Sequence, residues 1–265
     1  MMRITPMVKN ILIINLGIYL IQSFFNLPLN DIFGLKVIYS DQFAPYQFIT
    51  YMWLHGNFRH ILYNMMMLFF MAPLLEQVWG SKRFLIFYLA CGIGAGVLYG
   101  TVDATEKYSL KQDTEAFISN PNAEDFSIYI AEHTSMFTQE YRLSLMDFKD
   151  EYYENENVRG YKEQAVQIVD KIYEVSTNSS MIGASGAIYG ILMAMFLLFP
   201  NMQVLLMFMF PVKLKYVVFG LTIFEIYSEF NRAAGDNVAH LAHLSGMLIA
   251  FFLVKKWQKN GNRFY

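Results

Sequence analysis

The chain has 265 residues, of which 55% are hydrophobic and only 16% charged, with a formal net charge of −2. Soluble domains carry about 25% charged residues, so this composition excludes an ordinary soluble globular protein. Cys91 is the only cysteine, which excludes a disulfide framework and a cysteine-built metal cluster.

Apolar blocks run over 8–26, 60–79, 84–101, 181–199, 206–227 and 238–254. Each approaches the ~20 residues that cross about 30 Å of hydrocarbon as a helix. Their apolar character extends all round, unlike that of amphipathic surface helices, so six transmembrane helices are predicted. The first block follows Arg3 and Lys9 as a signal peptide would. It is followed by "NLPLNDIFG", without a small-x-small cleavage pattern, and reads as the first span. The start is Met-Met, so no myristoylation signal is seen.

Basic residues in short loops set orientation. With the N-terminus inside, the inner segments hold Arg3, Lys9, Lys82, Arg83, Lys213, Lys215, Lys255, Lys256, Lys259 and Arg263. The short outer segments hold only Lys36, Arg59 and Arg232. Both termini are therefore expected in the cytoplasm. The chain divides into residues 1–101 (three spans and a loop at 27–54), an insertion at 102–180, residues 181–254 (three spans) and a basic tail at 255–265.

The insertion is polar, with 16 acidic and 7 basic residues and a formal charge of −9. It joins the third and fourth spans on the outer face. Bare loops beyond about 12–15 residues are uncommon, and "YKEQAVQIVDKIYEVS" places Val166, Val169, Ile172, Tyr173 and Val175 at helical spacing. A small, mostly helical extracytoplasmic cap is predicted. It serves either as a lid or as a surface for substrate or partner. His133 reads as a solvated residue.

Polar residues inside spans are costly and mark function. They occur in "HGNFRHILYNMMMLFFMAPLLE", "GASGAIYG" and "NVAHLAHLSGMLIAFF", at the outer ends of the second, fourth and sixth spans. His60 and Asn64 are one helical turn apart and share a face. Both donate hydrogen bonds, which suits an oxyanion site, although a polar pair joining helices has the same spacing. His55 belongs to the same end as a helix-entry residue. On the sixth span Ala239, His243, Gly246 and Ala250 form one stripe of small residues around a histidine, whereas His240 leads toward bulkier neighbours. On the fourth span Gly183, Gly186, Gly190 and Ala194 form the matching stripe. Close packing of the two would bring Ser185 to His243, the contact that activates a serine nucleophile. Ser185 starts its helix, where backbone N–H groups are unpaired and its own could join the oxyanion site. Tyr189, at i+4, is placed to stack on the His243 ring. No acidic third member is evident in the apolar core; Glu76 lies at the opposite end of the second span and reads as a structural support.

These features resemble the rhomboid intramembrane serine proteases. The matching segments are "PYQFITYMWLHGNFRHILYN", "LLEQVWGSKRF", "GASGAIYG" and "VAHLAHLSG", in that family's order. The resemblance implies a six-helix bundle and a serine–histidine dyad. Ser185 corresponds to the nucleophile and His243 to the general base and acid. His60, Asn64 and the Ser185 N–H correspond to the oxyanion hole, and Tyr189 to the tyrosine stacked on the histidine. Gly183, Gly186, Gly246 and His55 are supporting residues. Segment 27–54 resembles the interfacial loop and the fifth span the lateral gate. The 102–180 insertion departs from the family's short loop. The expected partners are transmembrane-helix substrates and the lipid bilayer, with no cofactor, no metal and no nucleic acid. The expected location is the bacterial cytoplasmic (inner) membrane. The rival reading is a catalytically silent rhomboid-like scaffold that binds transmembrane helices.

Overall fold

A computed structural model describes residues 4–135, 137–206, 209–231 and 238–259. Arg3, Arg232 and Arg263 of the charge pattern lie outside these residues. The fold is all-α apart from one two-stranded hairpin. Helix α1 spans Pro6–Phe25 and α2 spans Leu29–Phe33. Helix α3, Gln47–Thr50, runs into a single 3-10 turn at Tyr51–Trp53. Helices α4, Phe58–Trp79, and α5, Ser81–Ser119, are separated only by Gly80. Its φ of +76° suits glycine and turns the chain sharply between two long helices.

Helices α1, α4 and α5 are long and apolar enough to cross a membrane, and α9, Ser185–Leu198, is apolar but shorter. The third apolar block ends at 101, yet α5 continues without a break to Ser119. At 1.5 Å per residue that is about 58 Å, far longer than a bilayer core. The fifth block also differs from expectation. It opens with an antiparallel hairpin, β1 (Gln203–Leu206) and β2 (Phe210–Lys213), and becomes helical only in α10, Leu214–Phe230. Helix α11 spans His240–Lys259.

Helix α9 is the centre of the bundle. Gly186, Ala187, Ile188, Gly190, Ile191, Leu192, Ala194 and Met195 are all buried, with α4, α5 and α11 packed around them. By contrast, α10 buries only Leu214, Val218 and Glu225 and leaves Phe219, Ile223 and Phe224 exposed.

Glu76 is a structural support, as its position implies. Its carboxylate accepts the backbone N–H of Met7 and of Val8, both at 2.9 Å, and the hydroxyls of Thr5 and Ser81. It thereby caps the N-terminus of α1, where unpaired N–H groups and the helix dipole favour a negative charge. Glu76→Ala is expected to destabilise the bundle by roughly 2–4 kcal/mol, because several buried donors lose a charged acceptor together. Chemical unfolding in detergent measures this. A loss below about 0.5 kcal/mol would show that water replaces the carboxylate at no cost.

The insertion folds around its own core. The C-terminal half of α5 joins α6 (Ala123–His133), α7 (Gln139–Glu154) and α8 (Arg159–Asn178), with Phe117, Phe126, Leu145, Tyr152, Val169 and Ile172 buried between them. Of the predicted stripe, Val169 and Ile172 face inward, Val166 and Tyr173 sit at the margin, and Val175 is exposed. His133 is not a freely solvated residue. Its Nε2 lies 2.9 Å from Asp113 Oδ2 and its ring packs on Tyr129 at 4.8 Å. This helical unit rests on segment 27–54. Tyr173 Oη donates to Tyr39 O at 3.2 Å, and Ser40 Oγ donates to Asn178 Oδ1 at 2.5 Å.

Candidate active site

Fourteen residues of α9 rise about 21 Å, so the helix alone is shorter than a ~30 Å hydrocarbon core. The segment just ahead of α9 is not helical, and membrane proteins tolerate such backbone only where it is held by protein or lines water. Segment 27–54 supplies the hold. Leu35 and Met181 exchange both backbone hydrogen bonds, at 2.9 and 2.8 Å, and Gly183 N–H donates to Tyr51 O at 2.9 Å. Tyr51 is itself fixed, its hydroxyl donating to Gly92 O at 2.7 Å.

Gly183 therefore lies ahead of α9, not on the stripe the sequence assigns it to. Its φ is +126°, and a Cβ there would lie 2.6 Å from His60 Nε2 and 3.7 Å from Ser185 Oγ. Only glycine suits both the backbone and the space, and the His60 ring fills that space beside Ser185. Ser185 is the first residue of α9 and is half-buried. On α4, Asn57 caps the helix by accepting the His60 N–H at 2.9 Å. Asn64 donates one amide hydrogen to His60 O at 2.9 Å and keeps a second for another acceptor. His55 is wholly buried, with its ring edge-on to His60 at 5.0 Å.

The small-residue contact between the fourth and sixth apolar blocks is present. An ideal Cβ on Gly246 would lie 1.9 Å from Gly186 O, and one on Gly190 would lie 3.2 Å from Gly246 O. The two backbones touch there, and His243 sits one turn above on α11. Tyr189 stacks on the His243 ring, with centroids 4.1 Å apart and planes within 6°. Among the described residues no side-chain hydrogen bond joins Ser185 to His243. Catalytic contacts of this type are commonly loose until substrate binds.

The expectation that no acid stands near His243 is corrected. Glu225 of α10 is buried beside it. Glu225 Oε1 accepts the Tyr189 hydroxyl. Glu225 Oε2 pairs with His240 Nδ1 at 2.6 Å and lies 3.0 Å from His243 Nδ1. The second approach is out of line for a hydrogen bond, so His243 Nδ1 is buried without an aligned partner. A signal for Glu225 was available: it is a carboxylate within the apolar run "FGLTIFEIYSEF". His240, placed at the edge of the helix contact by its spacing, is 3% exposed and bound to the same acid.

Glu225, His240 and His243 together could hold a metal, since their ligand atoms lie within 4.8 Å of one another. The spacing favours direct pairing instead. Ligands about 2.0 Å from a tetrahedral zinc are about 3.3 Å apart, and the carboxylate oxygen is closer than that to both nitrogens.

The Rhomboid domain family profile matches residues 42–111 and 165–257, which is more than half of the chain and takes in every site residue above. The chain belongs to the rhomboid family and is an integral membrane protein. It is 34% identical over 90 residues to "Rhomboid-like protein 11, chloroplastic" of Arabidopsis thaliana, covering 33% of this chain and 30% of that protein. It is 34% identical over 101 residues to "Putative rhomboid protease YdcA" of Bacillus subtilis (strain 168), covering 34% of this chain and 47% of that protein. The similarity thus spans under half the length of each of these relatives. Most of the insertion, residues 112–164, falls between the two matched stretches.

Proposed function

We propose that the chain is an intramembrane serine endopeptidase that cleaves the transmembrane helices of other membrane proteins at or near the bilayer boundary. The observation that carries this reading is the geometry at the start of α9. There Ser185, the His60 ring and the Gly183 turn share one space, and His243 is clamped under Tyr189 beside them.

A substrate helix enters from the lipid and unwinds locally, because a helical carbonyl is already bonded and shielded. Small or helix-breaking residues near the cut ease this step. Ser185 Oγ attacks the carbonyl carbon while His243 accepts its proton. His60, Asn64 and the Ser185 N–H hold the oxyanion. His243 then returns the proton to the leaving amine, and water hydrolyses the acyl-enzyme. Asn64→Ala is expected to lower kcat by about 10²–10³, the usual effect of removing one oxyanion donor, with KM little changed. Steady-state cleavage kinetics measure it.

Six spans with both termini in the cytoplasm fit the family and the charge pattern. Lys82, Arg83 and Trp257 gather at one end of the bundle, where Arg83 lies 4.9 Å from the Trp257 ring. The acidic insertion then faces the opposite side, where it serves as a lid or a recognition surface. In a bacterium the membrane would be the cytoplasmic one.

The test is a fluorophosphonate, which labels activated serines, combined with cleavage of a single-span test protein in liposomes. The expected result is an adduct on Ser185 and a cut near one bilayer boundary, both located by mass spectrometry. No adduct and no cut across several test proteins would favour the silent scaffold. That no hydrogen bond joins Ser185 to His243 among the described residues is the observation that favours this second reading.

A further inference from the structure

We propose that Glu225 is a positioning residue for His243, a third member that turns the proposed serine–histidine pair into a charge-supported triad; this rests on the serine-protease reading above. The argument starts from how many donors the carboxylate serves. Its two oxygens face three groups from two other helices: Tyr189 of α9, and His240 and His243 of α11. A carboxylate that is 2% exposed persists only when donors fill its lone pairs. Here Tyr189 and His240 each supply one donor, and a further one, His243 Nδ1, stands 3.0 Å away and awaits alignment.

A serine–histidine pair gains from such a partner. A proton held on His243 Nδ1 toward Glu225 leaves the Nε2 lone pair free to receive the serine proton. The opposite tautomer is inert as a base. When Ser185 transfers its proton, the ring becomes cationic in a site of low polarity. The adjacent carboxylate offsets that charge without taking the proton. A small rotation that brings Nδ1 into line with Oε2 strengthens the contact as the charge develops. Glu225 also holds the Tyr189 hydroxyl, and so fixes the ring that sandwiches His243. His240 shares Oε2 and keeps the carboxylate in place between turnovers.

A structural alternative exists. Glu225 is the buried polar anchor of α10, which otherwise packs lightly, so it could simply fasten that helix to the bundle. The two roles differ in kinetics. A positioning acid acts on the chemical step and changes kcat. A fastener of α10 changes substrate access and hence KM.

The experiment compares wild type, Glu225→Gln, Glu225→Asp and Ser185→Ala in phosphatidylethanolamine–phosphatidylglycerol liposomes with one single-span protein. It measures kcat, KM and the rate of fluorophosphonate labelling. Glu225→Gln preserves shape, removes the charge and turns one of the two acceptors into a donor. It is expected to lower kcat and the labelling rate about 10–100-fold, with KM within about twofold, since a charge-assisted contact is lost at the reacting group. Glu225→Asp should fall between Gln and wild type. Unchanged kcat, or a raised KM with unchanged kcat, overturns the proposal. Should Glu225→Gln fail to fold, Glu225→Asp decides alone: a kcat lowered threefold or more at constant KM supports the role, and a wild-type kcat overturns it. An inactive wild type, or an active Ser185→Ala, would instead overturn the serine-protease reading itself.

Discussion

Ser185→Ala is expected to reduce cleavage by about 10⁴-fold or more while leaving the bundle folded, the largest effect of any single substitution on activity. The substitution deletes one oxygen atom from a half-buried side chain at the first position of α9. That helix packs through Gly186, Gly190 and the apolar residues beyond them, so unfolding in detergent should shift by no more than about 0.5 kcal/mol. His243→Ala should be equally inactive but less innocuous. It removes the ring on which Tyr189 stacks and one of the groups gathered around Glu225, leaving a cavity among buried polar atoms. The double variant should be no slower than either single one, because residues that act as one unit do not contribute additively. Product mass spectrometry and labelling by fluorophosphonate give the rates. Residual cleavage by Ser185→Ala within tenfold of wild type would remove the nucleophile assignment, whatever the state of the fold.

The parts of this arrangement visible in the sequence are those written in local spacing. The small-residue stripes of 186–190 and 246–250 predict the touching backbones of α9 and α11, and the i+4 step from Ser185 predicts the Tyr189–His243 stack. What was missed depends on the third dimension. Glu225 is 15 residues from His240 and 36 from Tyr189, and no period connects them. His133 finds Asp113 across 20 residues of chain, through the packing of α6 on α5. Hydropathy reports where lipid begins and not where a helix ends, so the polar continuation of α5 beyond residue 101 had no apolar signature. The same measure cannot separate "QVLLMFMFPVK", eight of whose eleven residues pair as strands, from a buried helix. The spacing of Gly183 fits a helical stripe, although its backbone conformation excludes it from the helix.

Gly246→Ala is expected to cost about 3 kcal/mol in stability and at least about 10²-fold in activity, from the addition of a single methyl group. The methyl would lie 1.9 Å from Gly186 O and 2.8 Å from Gly186 C. Both atoms are backbone, so no side chain can swing aside. The whole of α9 must move from α11 by more than an ångström, or one helix must bend. Either response shifts Ser185, one residue before Gly186, relative to His243, one turn before Gly246. Activity therefore falls by more than the stability loss alone explains, because a misplacement of about 1 Å can cost 10²-fold in a reaction that depends on alignment. Gly220→Ala on α10 is the control. A Cβ there meets nothing within 4 Å, so that change should leave stability unchanged or raise it by up to about 1 kcal/mol through helix propensity alone. Equal behaviour of the two variants, in unfolding and in cleavage, would mean that the glycine contact between α9 and α11 does not set the separation of the serine and the histidine. A selective loss in Gly246→Ala would show that it does.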